Sequence, residues 1–185
     1  MKKLFSLLLI FLLSLCSAVE VSAITLKGRV TFQSKEVKDA LANVDEVRKE
    51  AFANVQNSID ISPHQKHFKD PFHRMNKSFA KKKVSYTLGD FSRFITHFSD
   101  GSYGISYDDD TNIWYHYTSK GSLDFVQYYT NSKISYDYNI DGKLIAICIA
   151  KDKIQYIFDT NGKLSSFWIG PYEYNPDGKI ILERW

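Results

Sequence analysis

A short unit ending in glycine recurs through the second half of this 185-residue chain. In the clearest copies, two aromatic residues two positions apart are followed by mostly polar residues, a glycine and then an aliphatic residue. The clearest copies span residues 115–123, 136–144, 156–164 and 172–180, and a degenerate first copy surrounds Gly101. Successive glycines are separated by 20, 21, 20 and 16 residues. Self-similarity at a nearly fixed period predicts stacked copies of one supersecondary unit.

Each copy has the pattern of a β-hairpin. Aromatic residues two apart lie on one face of a strand, because side chains alternate between faces. Asn-Pro-Asp-Gly at 175–178 and its relatives predict a type I turn that ends with glycine in the left-handed conformation. One period leaves room for two short strands and two turns. Residues 84–185 are therefore predicted to form an antiparallel β-meander of about eight to ten strands.

One amphipathic helix is predicted before the repeats. Apolar residues recur at spacings of three and four from Val37 to Ile59, which indicates a single helical stripe over about 35–58. Residues 24–61 are expected to hold this helix and a short strand before it. The predicted fold class is mainly β, an α+β chain whose helix packs on the sheet. Pairing with a second copy or adsorption to a membrane are the alternatives for the helix.

Residues 1–23 have the features of a cleaved export signal. Lys2 and Lys3 precede an apolar run, and Val21-Ser22-Ala23 supplies the small residues that a signal peptidase accepts. A lipoprotein signal that uses Cys16 is the rival, although no small residue precedes that cysteine. An uncleaved anchor is a further alternative. The protein is predicted to be exported to the periplasm or the extracellular space, with association with the cell envelope as a further alternative.

Residues 62–83 are rich in basic side chains and contain two prolines, so they are predicted to form an irregular linker or arm. Lys81, Lys82 and Lys83 are candidates for contact with an anionic envelope polymer or lipid headgroups. Nucleic acid is not expected as a partner, because the chain is exported and its net charge is only +3.

Three histidines of this arm, His64, His67 and His73, lie within ten residues and are candidates for binding zinc or copper. No glutamate general base accompanies them in the pattern of a metalloprotease helix. A histidine-rich basic arm explains them without a metal. No metal or other cofactor is predicted.

Evidence for catalysis is absent from the motifs. The pattern Asp137-x-Asn139-x-Asp141-Gly142 matches the opening of an EF-hand calcium loop, but the twelfth position is Cys148, where a glutamate is required. Cys148 lies in an apolar run with no base nearby and is expected to be a small buried hydrophobe. There is no nucleophile elbow and no phosphate-binding glycine loop. The chain is therefore predicted not to be an enzyme.

The repeat Tyr-x-Tyr-Asn/Asp-x-x-Gly-Lys-Leu resembles the YD repeats of Rhs-type bacterial surface proteins over about residues 94–185. That resemblance implies an array of β-hairpins. Five copies are too few for the enclosing shell that long YD arrays build. Residues 114–123 are also similar to the cell-wall-binding repeats of choline- and glucan-binding proteins, which carry a tryptophan in most copies.

Aromatic side chains of the strands are the candidate ligand-binding residues, because sugar rings stack on such side chains. The alternative is that they form the packed face of the sheet. The candidates are Trp114, Tyr115, Tyr117, Tyr138, Trp168 and Tyr174. We expect an exported, non-catalytic binding or interaction protein of the cell envelope that presents an aromatic-rich sheet to a glycan or protein partner.

Two other functions fit the sequence. A small exported hydrolase would use an acidic or metal site, for example at Asp108, Asp109 and Asp110. A structural protein would pair its sheet edges or its helix with other copies. The oligomeric state is not indicated by the sequence.

Overall fold

The computed structural model describes four stretches of the chain, residues 22–26, 29–81, 88–90 and 93–185, with side chains at 34–81 and 93–185. Most of the predicted export signal, together with Lys82 and Lys83, lies outside the described residues. The chain divides into two compact units, residues 1–42 and 43–185. In the described stretches, every helix is too short or too polar to cross a membrane.

The first unit contains a β-hairpin and one helix. Strands β1 (Ser22–Leu26) and β2 (Arg29–Gln33) are antiparallel, so two strands stand where one was predicted. Helix α1 (Lys35–Ala42) follows Ser34, whose hydroxyl accepts a hydrogen bond from the backbone N–H of Val37 at 3.4 Å. This is the usual capping arrangement at a helix N-terminus.

The predicted long helix is shorter and interrupted. Helix α1 ends at Ala42, and α2 (Val44–Ala51) begins after Asn43 and lies against the sheet. Beyond α2 the chain leaves the helical path, because its backbone groups bond to the sheet instead of to each other. The carbonyls of Asn54 and Gln56 accept hydrogen bonds from tyrosine hydroxyls. The backbone N–H of Ile59 donates to a carbonyl of a sheet turn at 3.0 Å.

The region predicted to be an irregular arm is instead ordered and partly helical. It contains a 3-10 helix (Ser62–His67) and α3 (His73–Ala80), and Lys81 is exposed directly after α3. We call residues 52–72, which connect α2 to α3, the strap. The strap lies across one face of the sheet, and its contacts with sheet side chains explain why the charge-rich segment is ordered.

The second unit is built on an antiparallel sheet whose strands follow one another in sequence order. In the described residues it has eleven strands, ten of them within 93–185, which confirms the predicted mainly β meander of hairpins. The strands are β3 (Leu88–Asp90), β4 (Arg93–His97), β5 (Tyr103–Tyr107), β6 (Ile113–Tyr117), β7 (Leu123–Tyr129), β8 (Ile134–Tyr138), β9 (Leu144–Lys151), β10 (Ile154–Asp159), β11 (Leu164–Ile169), β12 (Tyr172–Tyr174) and β13 (Ile180–Glu183).

Glycine closes one set of hairpin turns. The repeat glycines 101, 121, 142, 162 and 178 all have φ between 74° and 87°. This is the left-handed region that residues with a Cβ atom disfavour. In the turn at Gly142 the side chain of Asn139 accepts hydrogen bonds from the backbone N–H groups of Asp141 and Lys143, at 3.0 and 2.9 Å. The turns at Asp159 and Asn175 repeat this arrangement.

The sheet curls until the end of β4 meets the residues that follow β13. His97, at the end of β4, and Trp185, just after β13, exchange two backbone hydrogen bonds of 3.0 Å. On the inside of the curl, the rings of Phe98 and Trp168 lie 5.9 Å apart although they belong to distant strands. The sheet therefore has a concave face inside the curl and a convex face, which the strap covers.

Candidate functional site

The convex face is a packed core of tyrosines. The Tyr117 hydroxyl donates to the carbonyl of His67 at 2.5 Å, and those of Tyr136 and Tyr138 donate to strap carbonyls at 2.6 and 2.9 Å. Ring contacts join neighbouring strands, as in the stacked pair Tyr103 and Tyr117 at 5.3 Å. The strap thus occupies the surface on which a ligand would have to stack.

The six aromatic residues predicted as ligand-binding do not form one platform. Tyr115, Tyr117 and Tyr138 are at most 1% exposed beneath the strap. Trp114 and Trp168 lie on the concave face instead, since each is paired across the sheet with a residue of that face. The remaining candidate, Tyr174, is half-buried against the Phe167 ring at 5.5 Å.

A buried ion pair anchors the strap. Asp70 and Arg93 lie 3.7 Å apart, and both side chains are almost completely buried. The Asp70 carboxylate also accepts hydrogen bonds from the Tyr103 hydroxyl, the Phe72 backbone N–H and the Asn76 amide, at 2.9, 2.8 and 2.5 Å. A buried charge with this many donors is well compensated, so the group has a structural explanation.

The three histidines that were candidates for metal binding instead contact residues of the sheet and its turns, and so help to hold residues 62–80 on the sheet. His64 lies 2.7 Å from a carboxylate oxygen of Asp110, and His67 lies 3.0 Å from one of Asp109. His73 is separate from both and contacts a tyrosine of the sheet. Within the described side chains, no group of three His, Cys, Asp or Glu residues is placed to hold a metal ion.

The concave face holds a cavity of about 260 Å³, which we call the concave cavity. A cavity near this size accommodates a small ligand or one unit of a polymer. Aromatic side chains form part of its wall, and polar side chains reach it from strands around the curl. The aromatic residues include Phe98, Phe125 and Trp168, and the polar ones include Asp100, Asp124, Gln127, Asp137, Glu173 and Arg184.

Asp137 is the most unusual of these polar groups. One carboxyl oxygen, Oδ2, accepts a hydrogen bond from the Cys148 thiol at 3.4 Å. The other, Oδ1, is buried without a hydrogen-bond partner among the described residues. Burial raises the pKa of Asp137 to about 7, and burial also raises the pKa of Cys148 well above its usual range. Burial therefore favours the neutral, protonated form of the Asp137 carboxyl.

Gln127 connects this pair to the rest of the face. Its amide nitrogen donates to the Cys148 sulfur at 3.4 Å, and its amide oxygen accepts from the Tyr129 hydroxyl at 2.9 Å. Cys148 is thus a buried hydrogen-bonding group, and its high pKa disfavours the thiolate that a nucleophile requires.

His116 is a half-buried residue in the cavity wall whose ring nitrogen Nε2 is buried. Its ring stacks on Phe125 with centroids 4.2 Å apart, and its Nε2 atom has no hydrogen-bond partner among the described residues. Burial lowers the pKa of His116 to about 4, so the ring is neutral at pH 7.

Charged groups of both signs complete the cavity. The Arg184 guanidinium lies 4.5 Å from the Trp168 ring centroid and donates to the Gly170 carbonyl at 3.2 Å. Glu173 accepts a hydrogen bond from the Ser166 hydroxyl at 2.5 Å, and burial raises its pKa. The cavity therefore offers aromatic rings, hydrogen-bond donors and acceptors, and charges of both signs in one place.

The sequence carries a signal for these residues that lies between the aromatic positions. In the repeat Tyr-x-Tyr the central residue points to the opposite face of the strand. His116, Asp137 and Glu173 each occupy that central position. Polar residues alternating with buried tyrosines mark the concave face.

Comparisons of the chain with protein-family models, with curated proteins and with solved structures find no match. The β-hairpin repeat therefore rests on the strand pairing and on the turns described above.

Proposed function

We propose that this chain is an exported, non-catalytic binding protein of the cell envelope and that its ligand site is the concave cavity. The observation that carries the proposal is the lining of that cavity. It combines aromatic rings with polar side chains, and two of those side chains, His116 and Asp137, have buried atoms without a hydrogen-bond partner in the part of the chain that the structure describes. A buried polar atom without a partner is costly, and a ligand that hydrogen-bonds to it removes that cost.

The partner would be a segment of an envelope polymer, either a glycan or a peptide. Both have groups that hydrogen-bond to carboxyl and amide side chains and apolar faces that pack on aromatic rings. The proposal includes two expectations from the sequence. Residues 1–23 would direct export, and the repeats would be related to the YD repeats of bacterial surface proteins. Exposed Lys81, with Lys82 and Lys83, would add attraction to anionic polymers.

The test is co-sedimentation of the purified protein with isolated cell envelopes over a range of salt concentrations. We expect the unmodified protein to sediment and the double variant Gln127→Ala/Glu173→Gln to stay largely in solution. The matched control is Lys143→Ala, an exposed turn residue outside the cavity lining, which should sediment like the unmodified protein. Failure of the unmodified protein to sediment at any salt concentration would refute the proposal.

One observation favours a second function, a hydrolase. Asp137 and Glu173 line the same cavity, and burial raises the pKa of both carboxyls. Glycoside hydrolases use two carboxyl groups in this way, one of them kept protonated as a general acid. Release of reducing sugars from envelope polysaccharide, insensitive to chelator and abolished by Asp137→Asn, would establish this function in place of simple binding.

A further inference from the structure

A second cavity continues the concave cavity along the same face. Its volume is about 250 Å³, and its lining includes Ser135, Lys133 and Lys153. Gln155 and Arg184 line both cavities. The two cavities are therefore neighbouring parts of one groove, which we call the concave groove.

The two parts of the concave groove differ in charge. Acidic side chains, Asp100, Asp124, Asp137 and Glu173, line the concave cavity. Lys133 and Lys153 line the second cavity, which has no acidic side chain in its lining, and Arg184 lies where the two meet. A ligand with charges of opposite sign at its two ends would match both parts.

Buried atoms without partners indicate that the acidic part is a site and not only a cluster of acids. Asp137 is 5% exposed, its Oδ1 atom has no hydrogen-bond partner among the described residues, and it belongs to the cavity lining. The Nε2 atom of His116 is likewise buried without a hydrogen-bond partner among the described residues. An ammonium group carries three N–H donors, which suits a carboxyl oxygen that accepts nothing from the protein.

Resting on the function proposed above, we propose that the concave groove binds a short zwitterionic peptide. The peptide's ammonium group lies at Asp137, in the lining that also contains Glu173, and its carboxylate lies at Lys133, Lys153 and Arg184. A neutral glycan would leave both sets of charges in the groove without a counterpart, so the charge pattern favours the peptide.

The length of the groove agrees with a peptide of about three residues. Asp137 and Lys133 are four positions apart on and just before β8, which corresponds to about 13 Å along an extended chain. An extended tripeptide spans about 10 Å. The flexible side chains of Lys133 and Lys153 cover the difference, and the peptide's own side chains would pack on Trp168.

The experiment is an NMR titration of the full-length protein with tri-alanine and three related probes. The probes are N-acetyl-tri-alanine, which lacks the amine, tri-alanine amide, which lacks the carboxylate, and a neutral trisaccharide of N-acetylglucosamine. We expect tri-alanine to shift resonances of residues lining the groove. Each blocked peptide should bind about tenfold more weakly, the effect of losing one charge-assisted hydrogen bond.

Two variants test which residues of the groove bind the carboxylate of the peptide and which bind its ammonium group. Lys133→Ala/Lys153→Ala should weaken tri-alanine about tenfold and leave tri-alanine amide unchanged. Asp137→Asn, which keeps the shape of the side chain, should weaken tri-alanine and leave N-acetyl-tri-alanine unchanged. Lys143→Ala/Lys163→Ala removes two exposed lysines from other turns, outside both linings, and should have no effect.

The other outcomes overturn the inference in distinguishable ways. Equal binding of all three peptides, or no peptide binding at about 10 mM, refutes a zwitterionic site. Preferential binding of the trisaccharide in the groove refutes the peptide and leaves the proposed envelope-binding function standing. Absence of both ligand binding and envelope sedimentation refutes the inference and the function together.

Discussion

The buried carboxyl groups of Asp70 and Asp137 show how differently one residue type is used in this molecule. Asp70 accepts three hydrogen bonds and lies beside Arg93, so its charge is compensated within the protein. Asp137 receives one weak hydrogen bond, from a thiol, and keeps one oxygen without a partner among the described residues. We infer that Asp70 anchors the strap, whereas Asp137 can accept a hydrogen bond from a ligand.

The raised pKa of Asp137 predicts a specific pH dependence of stability. The carboxyl has a pKa of 3.8 in the unfolded chain and about 7 in the folded protein. Below pH 3.8 both states are protonated, and between the two values only the folded state keeps the proton. The free energy of unfolding should therefore fall by about 1.4 kcal/mol per pH unit from pH 4 to 7 through this group.

The measurement compares urea unfolding of the unmodified protein and of Asp137→Asn at several pH values from 4 to 8. His116 has the opposite effect, because its folded pKa of about 4 lies below its unfolded value of 6.5. Its contribution is present above pH 6.5 and is lost as pH falls toward 4. Both proteins contain His116, so the difference between them isolates Asp137. The Asn variant should be the more stable of the two at pH 8, and a pH-independent difference would show that Asp137 is not buried as a neutral carboxyl.

Among the secondary-structure elements, the glycine-closed hairpin links the sheet to the strap. A Cβ atom at Gly142 would lie 2.4 Å from the carbonyl oxygen of Ile59, which belongs to the strap. The backbone of the two segments pairs here, because Ile59 N–H donates to the Gly142 carbonyl at 3.0 Å. Glycine at this position therefore meets two requirements, the positive φ of the turn and the close approach of a second chain segment.

Substitution of Gly142 by alanine should separate these two requirements when compared with Gly170→Ala. Both glycines have positive φ, but a Cβ at Gly170 meets no atom within 4 Å. Gly170→Ala should cost about 1 kcal/mol for the backbone conformation alone. Gly142→Ala should cost about 3 kcal/mol because the strap must also move. Urea unfolding of the two variants measures this, and equal losses would mean that the strap does not restrict Gly142.

In the whole molecule, a few backbone hydrogen bonds close the curl that contains the concave cavity. His97 and Trp185 form two of them, and Ser99 N–H donates to the Glu183 carbonyl at 2.7 Å. The Glu183 N–H donates in return to the Ser99 hydroxyl at 3.0 Å. Without these bonds Phe98, which directly follows β4, and Arg184, which directly follows β13, would not be held side by side in the wall of the cavity.

Removal of residues 183–185 should open the curl and leave the central hairpins folded. We expect a loss of at least about 4 kcal/mol, because the four closing hydrogen bonds are removed together with those that Arg184 donates to Pro171 and Gly170. Amide hydrogen exchange should accelerate at His97 and Ser99 and stay slow in β8 and β9, whose partners are adjacent strands. The control is Ile180→Thr/Ile181→Thr, which changes two exposed side chains of the same strand. Unchanged exchange at His97 and Ser99 would mean that the closing bonds contribute little.

Much of the sheet could be predicted from the sequence because its determinants are local. The positive φ at Gly121 or Gly142 is required by a turn of a few residues, and the alternation of tyrosine with a polar residue is a property of one strand. The meander and its approximate strand number follow from repeating that unit. The local pattern also separates the two faces of each strand, as at Tyr136, Asp137 and Tyr138.

Which face is covered was decided only by the tertiary structure. The charged segment 62–72 has the composition of a solvated arm, and its order depends on partners distant in sequence, such as Arg93 and Asp110. The curl likewise depends on contact between His97 and Trp185, which no local pattern encodes. A strand's two faces are chemically distinct in the sequence, but burial depends on which distant segment reaches each face, and that is a property of the folded chain alone.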